Sequence, residues 1–364
     1  MTIRITWFRA FVALVGAVLL ALLVSWSGVI SVAASSGHWP ITAWFLHWTM
    51  ENSVRTHAAL SAPDDVIADQ ELVSAAGHFA QSCASCHGAP GIRPLPVMQA
   101  ATPHAPDLGG KAGEWTNAQL FWILEHGVKY SGMPAWAATD RPDEIRRMVA
   151  FVRALPTMTP QRYRELVGGA AGQPVVGLAA GTLARCTGCH GTDGRGRGQP
   201  DIPVLAGQKP AYLLAALKGY ATGARSSAVM RQAAAQLHAG EMRALSAYFA
   251  TRPGGLDAGG VARAAALEPQ AHIIATRGLP EQQLPACLSC HDPARPTRYP
   301  IVHGQRATYV AGRLHRWRGK ENVVDARKSH ATMPVIARRI PEEMIEPLAR
   351  YFEAAGSPAP ARVR

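Results

Sequence analysis

The chain has 364 residues, 48% of them hydrophobic and 17% charged, so it can form packed cores and is too long for one small domain. Its 37 Lys and Arg against 25 Asp and Glu give a formal net charge of +12, which by itself excludes neither a nucleic acid, a membrane surface nor an acidic protein as partner. All six cysteines lie in Cys-x-x-Cys-His sequences, which leaves none for a disulfide, a nucleophile or a separate metal site.

Residues 1–36 are predicted to form a membrane anchor. Arg4 and Arg9 precede a stretch without acidic or basic residues from Ala10 to Met50, and its most apolar part, Phe11 to Ala34, is long enough to cross a hydrocarbon core of about 30 Å. This charge distribution predicts a single-pass protein of a bacterial inner membrane, with a cytoplasmic N-terminus and a periplasmic remainder. The alternative is a cleaved signal peptide ending at Ser31-Val32-Ala33, although the apolar run is longer than such peptides require.

Residues 37–69 predict an interfacial helix followed by a linker. Ile41, Trp44, Phe45 and Trp48 fall on one face of a helix that Pro40 can open at its first position. Five of the nine tryptophans lie in the first fifty residues, as expected near a membrane interface. The helix would lie on the outer surface of the membrane or dock on a membrane subunit, and a simple juxtamembrane linker is the alternative.

Three copies of one motif follow: Cys83-Ala84-Ser85-Cys86-His87, Cys186-Thr187-Gly188-Cys189-His190 and Cys287-Leu288-Ser289-Cys290-His291. This spacing is the attachment signature of c-type haem. Two thiols three residues apart on a helical turn can form thioethers with the two vinyl groups of one haem, while the adjacent imidazole reaches the iron. A zinc site would need the pairs closer in sequence, and a redox dithiol would need a βαβ context. The sequence therefore predicts three covalently attached haem c groups.

A methionine follows each motif histidine at a similar distance and is the expected sixth ligand of the iron. Met133 follows His87 by 46 residues, Met230 follows His190 by 40, and Met333 follows His291 by 42. Thioether ligation favours reduced iron and raises its potential. With both axial positions filled, the iron has no open site for a substrate, so the pattern favours electron transfer over catalysis.

Other methionines and histidines compete for these positions. The methionine alternatives are Met98, Met148, Met242 and Met344, of which the last three lie in apolar-periodic segments where methionine usually fills the core. The histidine alternatives are His78, His126, His303 and His330, the last only three residues before Met333.

The three motif-and-methionine segments resemble class I cytochromes c. The resemblance implies an all-α fold in which an N-terminal transmembrane helix precedes three cytochrome c domains at residues 70–168, 169–256 and 257–364. In each domain a closing helix would pack on the motif helix, here Asp143–Leu155, Gly240–Ala250 and Glu342–Ala354. Phe151, Tyr248 and Tyr351 are the expected aromatic contacts.

The second and third domains also repeat each other. Pro203-Val-Leu-Ala-Gly207-Gln208, then Tyr212, matches Pro300-Ile-Val-His-Gly304-Gln305, then Tyr309. The pair is similar to dihaem cytochromes of the c-4 type, in which the propionate edges of the two haems face each other. That resemblance implies that the Pro203 and Pro300 carbonyls orient the motif imidazoles, with Pro106 as the candidate in the first domain.

The third domain departs from the pattern in two places. Asp292 follows its motif histidine where the other two motifs have Gly88 and Gly191, and 29 residues separate Gly304 from Met333 against 23 between Gly207 and Met230. The longer stretch carries Lys320, Arg327 and Lys328. Of the three domains, the third is therefore the one whose iron ligands are expected to differ most readily from the pattern of the other two.

The glycine-rich segment 191–198 and the many basic residues are expected to surround the haems. The segment 191–198 lacks the strand–loop–helix context of a phosphate loop and is predicted to surround a haem edge. Up to six propionate charges would attract Arg and Lys, so much of the +12, including Arg313–Arg318, is expected to be compensated internally. Nucleic acid is not an expected partner of an exported protein.

The sequence therefore predicts a membrane-anchored trihaem cytochrome c that transfers single electrons in a periplasmic respiratory chain, first of all to a haem–copper terminal oxidase. The alternative is the cytochrome subunit of a periplasm-facing dehydrogenase complex, and a quinol-oxidising complex is a further partner class. Anchored trihaem dehydrogenase subunits usually have Thr after the motif histidine, where this chain has Gly in two motifs and Asp in the third. A multihaem peroxidase would need an open iron position, against which the three methionines argue.

Overall fold

The computed structural model describes residues 6–63, 72–168, 174–254, 257, 259–294, 299–319 and 332–356. Within these ranges the chain is helical, and its only extended pairings are two isolated bridges, Ala89 with Ile92 and Leu279 with Leu284. The helices in chain order are α1 (Trp7–Trp26), α2 (Pro40–Ser61), α3 (Leu72–Ser82), α4 (Ala84–His87), α5 (Pro96–Gln99), α6 (Leu108–Lys111), α7 (Asn117–His126), α8 (Pro142–Ala154), α9 (Pro160–Val167), α10 (Ala180–His190), α11 (Pro210–Ala221), α12 (Ala228–Ala235), α13 (Ala239–Ala250), α14 (Gly260–Leu267), α15 (Pro269–Arg277), α16 (Leu288–His291), α17 (Ala307–Arg318), α18 (Thr332–Arg339) and α19 (Ile345–Ala354).

Among the described residues α1 alone is long and apolar enough to cross a membrane. Its 20 residues have a mean hydropathy of 2.4 in the most apolar window and none is buried. At about 1.5 Å per residue the helix is ~30 Å long. It begins earlier than predicted and ends at Trp26 rather than near Ala34, because Gly28 takes a φ of 73° that stops the helix.

Helix α2 begins at Pro40 as predicted, because proline is suited to the first position of a helix. Its first half exposes the apolar side chains, and the rings of Trp44 and Trp48 stack at 6.1 Å. Its second half packs on α7, where Val54 is buried and His57 stacks on Trp122 at 5.6 Å. The helix therefore connects the apolar segment to the first motif-bearing group.

Three groups of helices follow, at residues 72–168, 174–254 and 257–356, here called the first, second and third helical groups. Each has a cluster of buried apolar side chains. The first is built around Phe79, Ile145 and Phe151, the second around Leu183, Leu213 and Leu245, and the third around Ile274, Ile345 and Tyr351. Truncating one such side chain typically costs about 2–5 kcal/mol, so packing holds these short helices more than their own propensity does.

The expected closing helices form with small changes in their bounds. The predicted Asp143–Leu155 and Gly240–Ala250 correspond to α8 and α13. The third begins as a 3₁₀ turn, Glu342–Met344, and continues as α19. The aromatic contacts form as well: the Phe151 and Phe79 rings lie 5.1 Å apart, the Tyr351 hydroxyl lies 3.1 Å from His272 Nδ1, and Tyr248 shares a core with Leu183 of α10.

The second and third groups meet through the repeated segment. The Gln208 side chain donates to Ile301 O at 2.9 Å and accepts from Ile301 N at 2.9 Å. Gln305 makes the equivalent pair with Val204, at 3.0 and 2.8 Å. The same contact is thus made twice in opposite directions, so the two repeats face each other.

The first group packs on the second through α3, which lies against α10 and α12. Gly77 permits this approach, since a Cβ there would stand 2.8 Å from Cys189 Sγ. Ser74 Oγ donates to Asp201 Oδ2 at 2.5 Å, and Arg147 lies 3.5 Å from the same carboxylate. The first helical group therefore packs directly beside the Cys-x-x-Cys-His motif of the second helical group.

Candidate functional site

Backbone carbonyls orient two of the three motif histidines. His87 Nδ1 lies 2.8 Å from Pro106 O, and His291 Nδ1 lies 2.8 Å from Pro300 O. A carbonyl can only accept, so each imidazole carries its proton on Nδ1 and leaves Nε2 available to a metal. The expected contacts of Pro106 and Pro300 are confirmed, and this type of bond also makes a ligating histidine more basic.

His190 is held differently. Its imidazole is 8% exposed and Nδ1 makes no hydrogen bond, although the backbone of Pro203 lies close enough to favour the charged ring. Burial outweighs that contact and lowers the pKa of His190 to about 4. The Pro203 prediction therefore holds for proximity but not for hydrogen-bond geometry. The neutral imidazole this produces is the form that binds a metal.

All six motif cysteines are partly buried. Burial raises the pKa of Cys83 to about 12 and that of Cys186, Cys189 and Cys287 to about 11. No group of three or more His, Cys, Asp or Glu side chains among the described residues is arranged to hold a bare metal ion. Paired neutral thiols beside one imidazole fit covalent attachment of haem better than a zinc centre.

One cavity joins the second and third motifs. The side chains that line this cavity are largely apolar. Cys186, His190 and Met230 line it from one group. Cys287, His291 and Met333 line it from the other. Met230 and Met333 therefore each share the cavity with the motif histidine that the sequence paired with them, whereas His87 and Met133 do not line it.

The competing side chains are placed elsewhere. Met148 and Met344 belong to the first and third cores, Met242 is buried on α13, and Met98 is 39% exposed. His303 packs against Phe352 with ring centroids 5.6 Å apart and does not line the cavity. His330 lies outside the described residues, as do Lys320, Arg327 and Lys328.

In the first group Met133 is half-buried in the loop after α7. Gly127 ends that helix with a φ of 66°, and a Cβ there would approach Met133 O to 2.6 Å. His78 lies edge-on to Trp136 at 4.9 Å, and burial lowers its pKa to about 4. His126 packs beside Trp122 at 5.0 Å. The two histidine alternatives are thus engaged by aromatic rings.

A buried arginine that the sequence did not single out also lines the cavity. Arg225 is 4% exposed and donates to Tyr212 Oη at 3.1 Å and to Tyr309 Oη at 2.7 Å, while its Nε has no hydrogen-bond partner. Burial disfavours its charge, but the neighbouring tyrosines hold its pKa above the ordinary value. Arg313, equally buried, lies over the Trp317 ring at 4.5 Å and lines the same space.

Buried cations in an apolar cavity call for an anion. Haem propionates supply such charges, and the thiols, imidazoles and apolar walls suit the rest of the group. The residues present therefore fit haem c. The sequence repeat brought out Tyr212 and Tyr309 but not Arg225, because the residue at the same distance after Tyr309 is Asn322.

The arginines of the glycine-rich loop after the second motif donate to backbone carbonyls of neighbouring segments. Arg197 donates to Leu166 O at 2.8 Å, to Gly188 O at 2.6 Å and to Glu165 O at 2.6 Å. Arg195 donates to Pro253 O at 3.0 Å. These arginines tie the loop to the motif helix and to its neighbours, so part of the positive charge is used internally.

Comparisons with known proteins give the family. The profile described as cytochrome c oxidase, cbb3-type, subunit III matches residues 70–152, and the cytochrome c profile matches residues 179–252. The thiosulfate dehydrogenase electron acceptor of Stutzerimonas stutzeri is 32% identical over 174 residues, covering 47% of this chain and 79% of that protein. The chain belongs to the cytochrome c family.

Cytochrome c4 of Pseudomonas aeruginosa is 30% identical over 191 residues, which is 50% of this chain and 89% of that protein. Reduced cytochrome c4 from Pseudomonas stutzeri has a crystal structure that aligns with a TM-score of 0.40 and 27% identity, over 48% of this chain and 95% of that one. Membership of the cytochrome c family implies covalently bound haem c and an electron-transfer protein or subunit. Each of these relatives accounts for about half of the chain.

Proposed function

We propose that this cytochrome c is a membrane-anchored trihaem protein that relays single electrons in a bacterial periplasm. The observation that carries the proposal is the cavity that brings His190 with Met230 and His291 with Met333 to one continuous space. We divide the chain into the anchor 1–36, the interfacial helix and linker 37–69, and haem domains at 70–168, 169–256 and 257–364.

The ligand sets follow from the motifs and the cavity. His87 and Met133, His190 and Met230, and His291 and Met333 are the proposed axial pairs, and the six motif cysteines are the proposed thioether positions. Haem supplies the Fe(III)/Fe(II) couple that takes up and gives back one electron. The Pro106 and Pro300 carbonyls fix two of the imidazoles that would hold haem iron, and the three methionines would keep water and substrates from that iron.

Contact between the groups supports transfer along the chain. Cys189 Sγ lies 3.9 Å from Val73 O on α3, so the first group touches the second motif itself. The reciprocal bonds of Gln208 and Gln305 hold the second and third sites together. The protein's own part in transfer is to fix these distances and to exclude water from the cavity.

The direction we propose runs from a periplasm-facing dehydrogenase through this protein to a haem–copper terminal oxidase. The first domain matches a profile named for an oxidase subunit, which supports the acceptor. A relative named as the electron acceptor of thiosulfate dehydrogenase supports the donor and also favours the second candidate, a permanent cytochrome subunit of a dehydrogenase complex. Helix α1 is the proposed anchor, with the N-terminus cytoplasmic and all haem domains periplasmic.

The test is isolation of the full-length protein in mild detergent, followed by mass spectrometry of co-purifying subunits and stopped-flow mixing with a purified oxidase. Co-purifying oxidase subunits and rapid oxidation of the reduced protein support the relay. Stoichiometric dehydrogenase subunits with no oxidation by the oxidase favour the second candidate. Rapid binding of CO or turnover of peroxide by the native protein contradicts both, because each requires an open iron position.

A further inference from the structure

Glu144, on α8 of the first group, is a buried carboxylate that contacts residues of both the first and the second group. It is 6% exposed. Its Oε1 accepts from Ser227 Oγ at 2.6 Å and lies 2.9 Å from the Arg141 guanidinium. Its Oε2 accepts from Ala228 N at 2.8 Å and from Trp136 Nε1 at 3.4 Å. All four partners are donors, so the site is built for an ionised carboxylate.

On the side of the second group this carboxylate completes the start of α12. Ser227 is the N-cap of that helix, and its hydroxyl oxygen accepts from Met230 N at 3.1 Å. The Glu144 carboxylate accepts hydrogen bonds from the Ser227 hydroxyl and from the backbone N–H of Ala228. A negative charge at a helix N-terminus is stabilising. With only eight residues, α12 is too short to be stable alone. Glu144 therefore holds the helix that carries Met230.

On the side of the first group the same carboxylate holds the loop that carries Met133. Trp136, 8% exposed, lies three residues after Met133 and donates its indole N–H to Glu144. The Trp136 backbone N–H donates to Glu125 O at 3.1 Å, which fixes the other side of the residue. The end of the methionine loop is thus anchored to α7 and to Glu144.

We propose that Glu144 is a positioning residue for two axial methionines, Met133 and Met230, so that one buried carboxylate couples iron ligation in the first and second domains. The inference rests on the proposed ligand sets of these two domains. The third domain is independent of it, since Met333 lies on α18 and none of the four Glu144 contacts involves that helix.

The test uses the full-length holoprotein with Glu144→Gln. The amide has the size of the carboxylate but one acceptor oxygen, and its NH₂ faces a donor whichever way it is turned. We expect the CO-binding rate of the reduced protein to rise about tenfold at the first and second haems, because the fraction with methionine detached rises by that factor, equivalent to ~1.4 kcal/mol. The third haem should not change. The methyl resonances of the bound methionines identify which haem responds.

Two further variants separate the two sides. Ser227→Ala should raise the CO-binding rate of the second haem alone. Trp136→Phe should raise that of the first haem alone. Both retain Glu144, so they remain informative if Glu144→Gln does not fold. Glu165→Gln is the matched control, because it removes the same charge from an exposed carboxylate of the first group and should leave all three haems unchanged.

Failure of this inference is distinguishable from failure of the ligand sets. If Met133→Ala and Met230→Ala each open one haem to CO while Glu144→Gln, Ser227→Ala and Trp136→Phe open none, the positioning role is wrong and the ligands stand. If Met133→Ala and Met230→Ala leave the methyl resonances and CO binding as in the native protein, the ligand sets themselves are wrong.

Discussion

Burial separates the side chains that can serve a haem from those that fill the core. Met230 and Met333 line the shared cavity, whereas Met344 is packed among apolar neighbours of the third core. Arg225 and Arg313 bring positive charge to the same cavity. Whether a methionine can bind iron depends on whether it lines the cavity. Its distance in sequence from the motif histidine only reduces the number of candidates.

Met333→Ala should lower the potential of one haem and let its reduced form bind CO, because the thioether that favours reduced iron is lost. Met344→Ala should leave all potentials and spectra unchanged and lower the free energy of unfolding by about 2–5 kcal/mol, because it empties part of a core. Redox titration and thermal unfolding of both variants check this. Unchanged spectra of all three haems in Met333→Ala would show that another side chain is the third ligand.

Arg225→Met should lower the potentials of the second and third haems, because a buried positive charge beside them stabilises the reduced state. A shift of roughly 60 mV, equivalent to tenfold in a one-electron equilibrium, is the expected scale. Arg231→Met is the matched control, since Arg231 is exposed and donates to Ala137 O at 3.3 Å. Equal shifts in the two variants would remove the special role of the buried charge.

At the scale of helices, polar and ionic contacts add to apolar packing at the junction between the groups. Arg141 of the first group pairs with Asp143 at 2.8 Å and donates to Ser226 O of the second group at 3.1 Å. The charge of Arg316, on α17 of the third group, also acts on Asp143. Such partly buried pairs fix the orientation of helices more than they add stability, and they make the junction sensitive to acid.

Asp143 gives this junction a defined pH dependence. Burial raises the pKa of its carboxyl, but the Arg141 hydrogen bond and the charges of Arg141, Arg147 and Arg316 outweigh burial and hold the pKa well below its ordinary value of about 3.9. A depressed folded-state pKa contributes stability that is complete above that ordinary value and is lost as the pH falls below it.

Asp143→Asn should therefore lower the Tm at neutral pH and reduce the fall in Tm as the pH drops below about 4. Thermal unfolding of the native protein and the variant across that range provides the measurement. Parallel Tm curves for the two proteins would contradict the assigned role.

At the scale of the whole molecule, the sequence anticipated local features better than distant contacts. The start of α2 was predicted because it is set locally, by a proline at the first position of the helix. Glu144 and Arg225 escaped prediction because their partners lie 83 and 84 residues away in sequence at Ser227 and Tyr309. The apolar segment was placed too far along the chain, because hydropathy does not register the turn at Gly28.

The apolar helix α1 should retain the native protein in the membrane. Carbonate washing should leave the full-length chain in the pellet, and its intact mass should include residues 1–36. Replacing 1–36 with a cleavable signal peptide should release a soluble protein whose haem spectra match the native ones, because the cavity residues lie far along the chain. A native protein that starts after Ala33 would support the cleaved signal instead.

The most direct test of the central claim is a coulometric titration of the purified full-length protein, performed with and without CO. The account predicts three electrons taken up per chain and no immediate change of any reduced spectrum on adding CO, because three irons each have histidine and methionine as axial ligands. Uptake of two electrons or fewer, or an immediate CO-bound spectrum, would contradict it.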